Sequence, residues 1–150
     1  MTTKPKRANP EMKLQRDIIA VLGGLGYTVM ETGKSRSRVK CSKCGTSSFA
    51  TGWQGNTPGL PDLYVHRRGM GHPIAIALEL KAPNGKPSET QKWLADNFMT
   101  TIVRSVEESL TVLANFETAI GNRTQSDKVR KMLSGLIEMK GLTNESISVD

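Results

Sequence analysis

The chain has 150 residues, 37% of them hydrophobic and 5% aromatic, with 21 Lys and Arg against 14 Asp and Glu for a net charge of +7. That is enough for one domain with a core and a small appendage, and no apolar run is long enough to span a bilayer. The positive balance points to a polyanionic partner, nucleic acid ahead of membrane because no basic amphipathic helix is evident, although a merely soluble basic protein would carry the same excess.

Residues 1–9 read as a flexible basic N-terminus. They carry charge with no apolar segment after them, so no secretory signal is expected and the protein is expected inside the cell. A helix then starts with Asn9 as cap, Pro10 in the first turn and Glu11 at the positive end of the dipole. Leu14, Ile18, Val21, Leu22 and Leu25 follow at helical spacing, and Gly23, Gly24 and Gly26 end it. Glu11 falls on the apolar stripe, which fits either a group aimed at a site or a glutamate placed for the dipole.

Tyr27 to Glu31 reads as a short strand. A long polar segment, 32–59, follows, with an inserted basic stretch at about 34–57 that holds Cys41 and Cys44. Loops of this length inside compact domains are usually functional or disordered, and part of this one is expected to form a strand or a metal knuckle. Lys34, Arg36, Arg38, Lys40 and Lys43 occur there with no acid among them, and Arg67 and Arg68 follow in a turn. Such clusters suit contacts with backbone phosphates, and a solvated loop would look the same.

"DLYVHR" and "IAIALELK" read as two strands of a hairpin joined by "RGMGHP". Ser88 with Gln91 forms a capping box for a helix that ends near Thr100, "TIVRSV" is a strand, and Ser105 with Glu108 caps the next helix. "GNRT" breaks the chain, and an amphipathic helix is expected from Asp127 to Lys140, ahead of a polar tail. The order gives an α/β fold, a small mixed sheet flanked by helices.

Side chains alternate along strands. Ile74, Ile76, Leu78 and Leu80 therefore share one face, and Ala75, Ala77, Glu79 and Lys81 the other. Pairing like faces across the hairpin sets Val65 against Ile76 and Leu63 against Leu78. The same register carries Asp62 to a position opposite Glu79, where Cβ atoms lie roughly 4.5–5.5 Å apart. Two carboxylates so close need a proton or a cation between them, and hard oxygen ligands suit Mg²⁺ or Mn²⁺. The alternative is a sheet edge whose charged residues reach solvent, with Glu79 and Lys81 as an ion pair.

"GLPD" (Gly59 to Asp62), "ELK" (Glu79 to Lys81), "GKPSETQ" (Gly85 to Gln91) and the helix-one glutamate of "PEMKLQRDI" together resemble the PD-(D/E)xK nuclease superfamily, and within it the VRR-NUC domain. The resemblance implies a restriction-endonuclease-like core (αβββαβ) over residues 10–122, with the basic insertion at 34–57 and a helical extension at 123–150. It implies a metal-dependent DNA endonuclease in which Asp62, Glu79, the Leu80 main-chain carbonyl and Glu11 hold Mg²⁺ or Mn²⁺. Lys81 would act on the attacking water or the phosphate, and Gln91 would orient the nucleophile or the metal shell. Gln91 also serves as the capping partner of Ser88. Stand-alone members imply a homodimer acting on four-way (Holliday) junctions, in a bacterial cytoplasm and encoded either by a phage or by its bacterium, with the last helix as a dimer surface or as packing for its own sheet. Flaps, nicked or single-stranded DNA remain alternative substrates, and a non-catalytic zinc-containing DNA-binding module is the rival from another class.

Cys41 and Cys44 have the spacing of half a zinc knuckle. His66 and His72, or a second chain, could complete a structural Zn²⁺ site; two unliganded thiols or a disulfide are the alternatives, the last disfavoured in a reducing compartment. Trp53 could stack on an unpaired base, but it is more simply read as the anchor of its loop.

Overall fold

The computed structural model describes residues 9–32, 38–40, 44–45, 47–49, 59–70 and 75–145. Helix α1 (Pro10–Gly24) is followed by β1 (Thr28–Glu31), β2 (Arg38–Lys40), β3 (Ser47–Phe49), β4 (Leu63–His66) and β5 (Ile76–Leu80). Then come α2 (Glu89–Asp96), β6 (Thr101–Val103), α3 (Val106–Ala119) and α4 (Arg123–Glu145). The expected mixed α/β architecture is present: a four-stranded sheet in the order β1-β4-β5-β6, antiparallel except for the parallel pair β5/β6. β2 and β3 form a separate two-stranded ribbon within the basic segment.

The helix ends follow local chemistry. Asn9 Oδ1 accepts from the Glu11 N–H at 3.1 Å at the start of α1. Ser88 and Gln91 complete their capping box, and Ser105 accepts from the Glu108 N–H. The last helix differs from expectation. It begins at Arg123, immediately after the break at Gly121 (φ +81) and Asn122, and runs through Glu145. Four residues assigned to the break or left before the helix are thus helical, because Asn122 Oδ1 caps the Gln125 N–H. Of the strand expected from Ile74, Ile76–Leu80 is strand, and Ile74 itself lies outside the described residues.

The register between β4 and β5 is the one the alternation requires, with Leu63 opposite Leu78, Tyr64 opposite Ala77 and Val65 opposite Ile76. This turns Leu63, Val65, Ile76 and Leu78 into the core, where they meet Ile18 and Leu22 of α1 and Leu110, Leu113 and Ala114 of α3. Val129 of α4 is buried in the same cluster, so the C-terminal helix shares the core of the domain. Helix α2 lies over the other face and buries none of its residues completely.

One charged group sits inside. Glu117 of α3 is 0% exposed. It accepts hydrogen bonds from the Tyr27 hydroxyl (2.8 Å) and from Arg67 Nε (2.8 Å) and Nη2 (2.7 Å). The network joins the entry to β1, the exit from β4 and α3. Burial, reinforced by the hydrogen bond to Glu117, pushes the Tyr27 phenol up from its ordinary 10.0 to about 12.

Two outcomes follow for this network. Glu117→Ala strands the partly buried Arg67 and should cost about 3–5 kcal/mol in urea unfolding. Between pH 10 and 12 the folded chain keeps the Tyr27 proton that the unfolded chain gives up, so this contribution is full below pH 10 and is lost as the pH rises through 12. Urea midpoints measured over that range should fall more steeply for the wild type than for Tyr27→Phe.

Candidate active site

The polar cluster forms where β5 leaves the sheet. Glu79 follows Leu78 on the strand and so points to the face opposite the core, yet it is only 2% exposed. A carboxylate in that position needs partners. Lys81, two residues along the same face, puts Nζ 2.8 Å from Glu79 Oε1. The Gln91 side-chain amide donates to the same oxygen. Gln91 also fills the capping role read from the sequence, since its Oε1 accepts from the Ser88 N–H at 2.8 Å.

Asp62 arrives from the adjacent strand. The β4/β5 ladder stops at Leu63–Leu78, and one residue beyond it Asp62 Oδ2 accepts from the Leu80 N–H at 2.8 Å. Its carboxylate is therefore fastened to the β5 backbone next to Glu79. Glu11, in the first turn of α1, comes in from a third direction: its Oε1 accepts from the Ala82 N–H at 3.4 Å. All five expected catalytic residues thus converge on the stretch from Glu79 to Ala82.

Two further contacts hold this geometry. Gly59, with φ +90, lies so close to α2 that a Cβ there would come within 2.6 Å of Thr90 Cγ2 and 3.1 Å of Leu94 Cδ1. Thr90 is the neighbour of Gln91, so the loop leading to Asp62 and the helix carrying Gln91 are packed directly on each other. Arg104 Nη2 donates to the Gly85 carbonyl at 3.3 Å and braces the loop between β5 and α2. Neither contact was anticipated from the sequence, although the glycine of "GLPD" is a visible sign of close backbone approach.

Three carboxylates against one ammonium make a donor set suited to a hard divalent cation. Asp62, Glu79 and Glu11 are tied to separate groups, and no cluster of three or more His, Cys, Asp or Glu side chains is gathered as metal ligands among the described residues.

The other expected residues lie elsewhere. Arg67 is not presented for phosphate contact. Nε and Nη2 are engaged by Glu117, and Nη1 donates to the Arg68 carbonyl at 2.6 Å. Arg68 is exposed. Arg38 and Lys40 belong to strand β2, and Cys44 is exposed in the turn between β2 and β3. Lys34, Arg36, Cys41, Lys43, Trp53 and His72 lie outside the described residues. No helix among the described residues is long and apolar enough to cross a membrane.

Compared with protein-family models, with curated proteins and with solved structures, the chain matches none.

The ion pair at Glu79 has a measurable cost of disruption. Lys81→Met removes the ammonium paired with a buried carboxylate and should destabilise by about 3–5 kcal/mol. Adding Glu79→Gln to that variant should recover most of the loss, because the uncompensated charge goes with it. Urea denaturation of the two single variants and the double variant checks both statements.

Proposed function

We propose that this protein is a divalent-metal-dependent DNA endonuclease of the PD-(D/E)xK kind that acts as a homodimer on four-way junctions. The observation that carries the reading is the convergence on residues 79–82 of side chains from four separate parts of the chain: Glu11, Asp62, Gln91 and the Glu79–Lys81 pair itself. A structural salt bridge would need only Glu79 and Lys81. It gives no reason for Glu11 and Asp62 to bring further negative charge to the same strand end.

In this mechanism Asp62, Glu79, Glu11 and the Leu80 carbonyl would hold the cation. When bound, a divalent ion polarises the phosphoryl oxygen and makes water a stronger nucleophile near neutral pH. The chain's own groups do the rest. The Leu80 N–H fixes the orientation of Asp62, and the Gln91 amide fixes Glu79. Lys81 holds a compact positive charge where a phosphodiester would meet the carboxylates, and it can stabilise the extra negative charge of the pentavalent phosphate or orient the attacking water. The net charge of +7 favours encounter with DNA in a salt-dependent manner.

The test is cleavage of a mobile four-way junction beside a matched linear duplex, with Mg²⁺ or with EDTA. The wild type with Mg²⁺ should resolve the junction into paired nicked duplexes, and Glu79→Ala should lower the rate more than about 10²-fold while DNA binding persists. If DNA binds tightly but nothing is cut with Mg²⁺ or Mn²⁺, the protein is a binding module and the nuclease reading fails.

A further inference from the structure

Helix α2 ends in a turn that normally requires glycine. The Phe98 N–H donates to the Ala95 carbonyl at 3.1 Å and the Met99 N–H to the Leu94 carbonyl at 3.0 Å. This is the paired hydrogen-bond pattern in which the residue after the cap turns left-handed. That residue is Phe98, with φ +58, the one residue other than glycine with positive φ among the described residues. A bulky side chain is disfavoured there. Packing does nothing to offset it, since Phe98 is 97% exposed.

Phe98 instead helps to form a cleft of about 410 Å³, together with Ala77 of β5, Thr101 of β6 and Val112, Asn115 and Phe116 of α3. Asn115 Oδ1 accepts from Arg130 Nη2 at 3.2 Å, which brings an exposed cation to the cleft's rim. The cleft is anchored to the candidate active site by two elements. Ala77 lies two residues before Glu79 on the same face of β5, ~7 Å away, and α2, whose C-terminal turn holds Phe98, carries Gln91 in its first turn.

We infer that this cleft receives an unpaired nucleobase of the nucleic acid bound at the carboxylate site, stacked on Phe98. The inference rests on the nuclease reading and narrows its substrate to junctions with unpaired nucleotides near the cut. An aromatic ring held in water against its backbone preference gains most from a planar apolar partner supplied from outside. The cleft has more than enough room for a single small ring system, and Arg130 is placed for the attached phosphate.

The experiment uses two duplexes in EDTA, one fully paired and one carrying a single unpaired 2-aminopurine, with affinity read by anisotropy and stacking by 2-aminopurine emission. The wild type should bind the bulged duplex about tenfold or more tightly, with quenched emission. Phe98→Gly should melt at the same or a higher temperature, keep its affinity for the paired duplex, and lose both preference and quenching. Phe98→Trp should keep them. Equal binding of the two duplexes by the wild type, or an undiminished preference in Phe98→Gly, overturns the inference. So does loss of self-association in Phe98→Gly with DNA preference unchanged, which would assign the ring to a protein contact. Wild type that binds neither duplex overturns this inference, and junction cleavage with Mg²⁺ then shows whether the nuclease reading falls with it, whereas paired-duplex binding without preference removes the cleft alone.

Discussion

A carboxylate that is 2% exposed must have its charge met on the spot, and the end of β5 is organised around meeting that demand at Glu79. The strand supplies Lys81 because residues two apart share a face. The following helix supplies Gln91 because its capping box fixes that side chain at the first turn. Asp62 cannot use the same oxygen and is turned onto the Leu80 N–H instead. The result is a group of acids held individually, each by a different donor, around one strand terminus. Such an arrangement gives each acid its own donor at one strand end.

The other buried acid, Glu117, solves the same problem with a different partner. A guanidinium fork and a phenol satisfy both of its oxygens, and a fork is better suited than an ammonium to a fully enclosed carboxylate. Lys81 at Glu79 and Arg67 at Glu117 thus separate two uses of a buried ion pair. The compact, reorientable charge lies at the candidate site, and the rigid one lies in the core.

Much of this was legible in the sequence where a period decided it. The β4/β5 register followed from alternating apolar residues, and that register alone brought Asp62 beside Glu79. Gln91 could be read as the capping partner of Ser88 because a capping box fixes a side chain by local chemistry. Arg67 was misplaced for a physical reason: its partner is 50 residues away, and a basic residue in a turn carries no mark of what lies across the core. Yet Glu117 had the same signal as Glu11. It stands four residues after Leu113 and seven after Leu110, an acid on an apolar stripe, and an acid there implies a buried cation. The early start of α4 was hidden by "GNRT", whose Asn122 reads as a breaker and acts as a cap.

The contact between Gly59 and Thr90 bears on how such a chain can vary. Position 59 is closed to other residues twice over, once by its left-handed backbone and once by the methyl group facing it. Shrinking Thr90 would relieve only the contact with its methyl group, leaving the backbone barrier and Leu94 Cδ1 at 3.1 Å. A lineage that loses this glycine therefore has no single neighbouring substitution that restores it, and the displacement falls on Asp62 and Gln91 rather than on the hydrophobic core. Folding and chemistry would then part company: such a variant could remain well packed while its acids no longer meet.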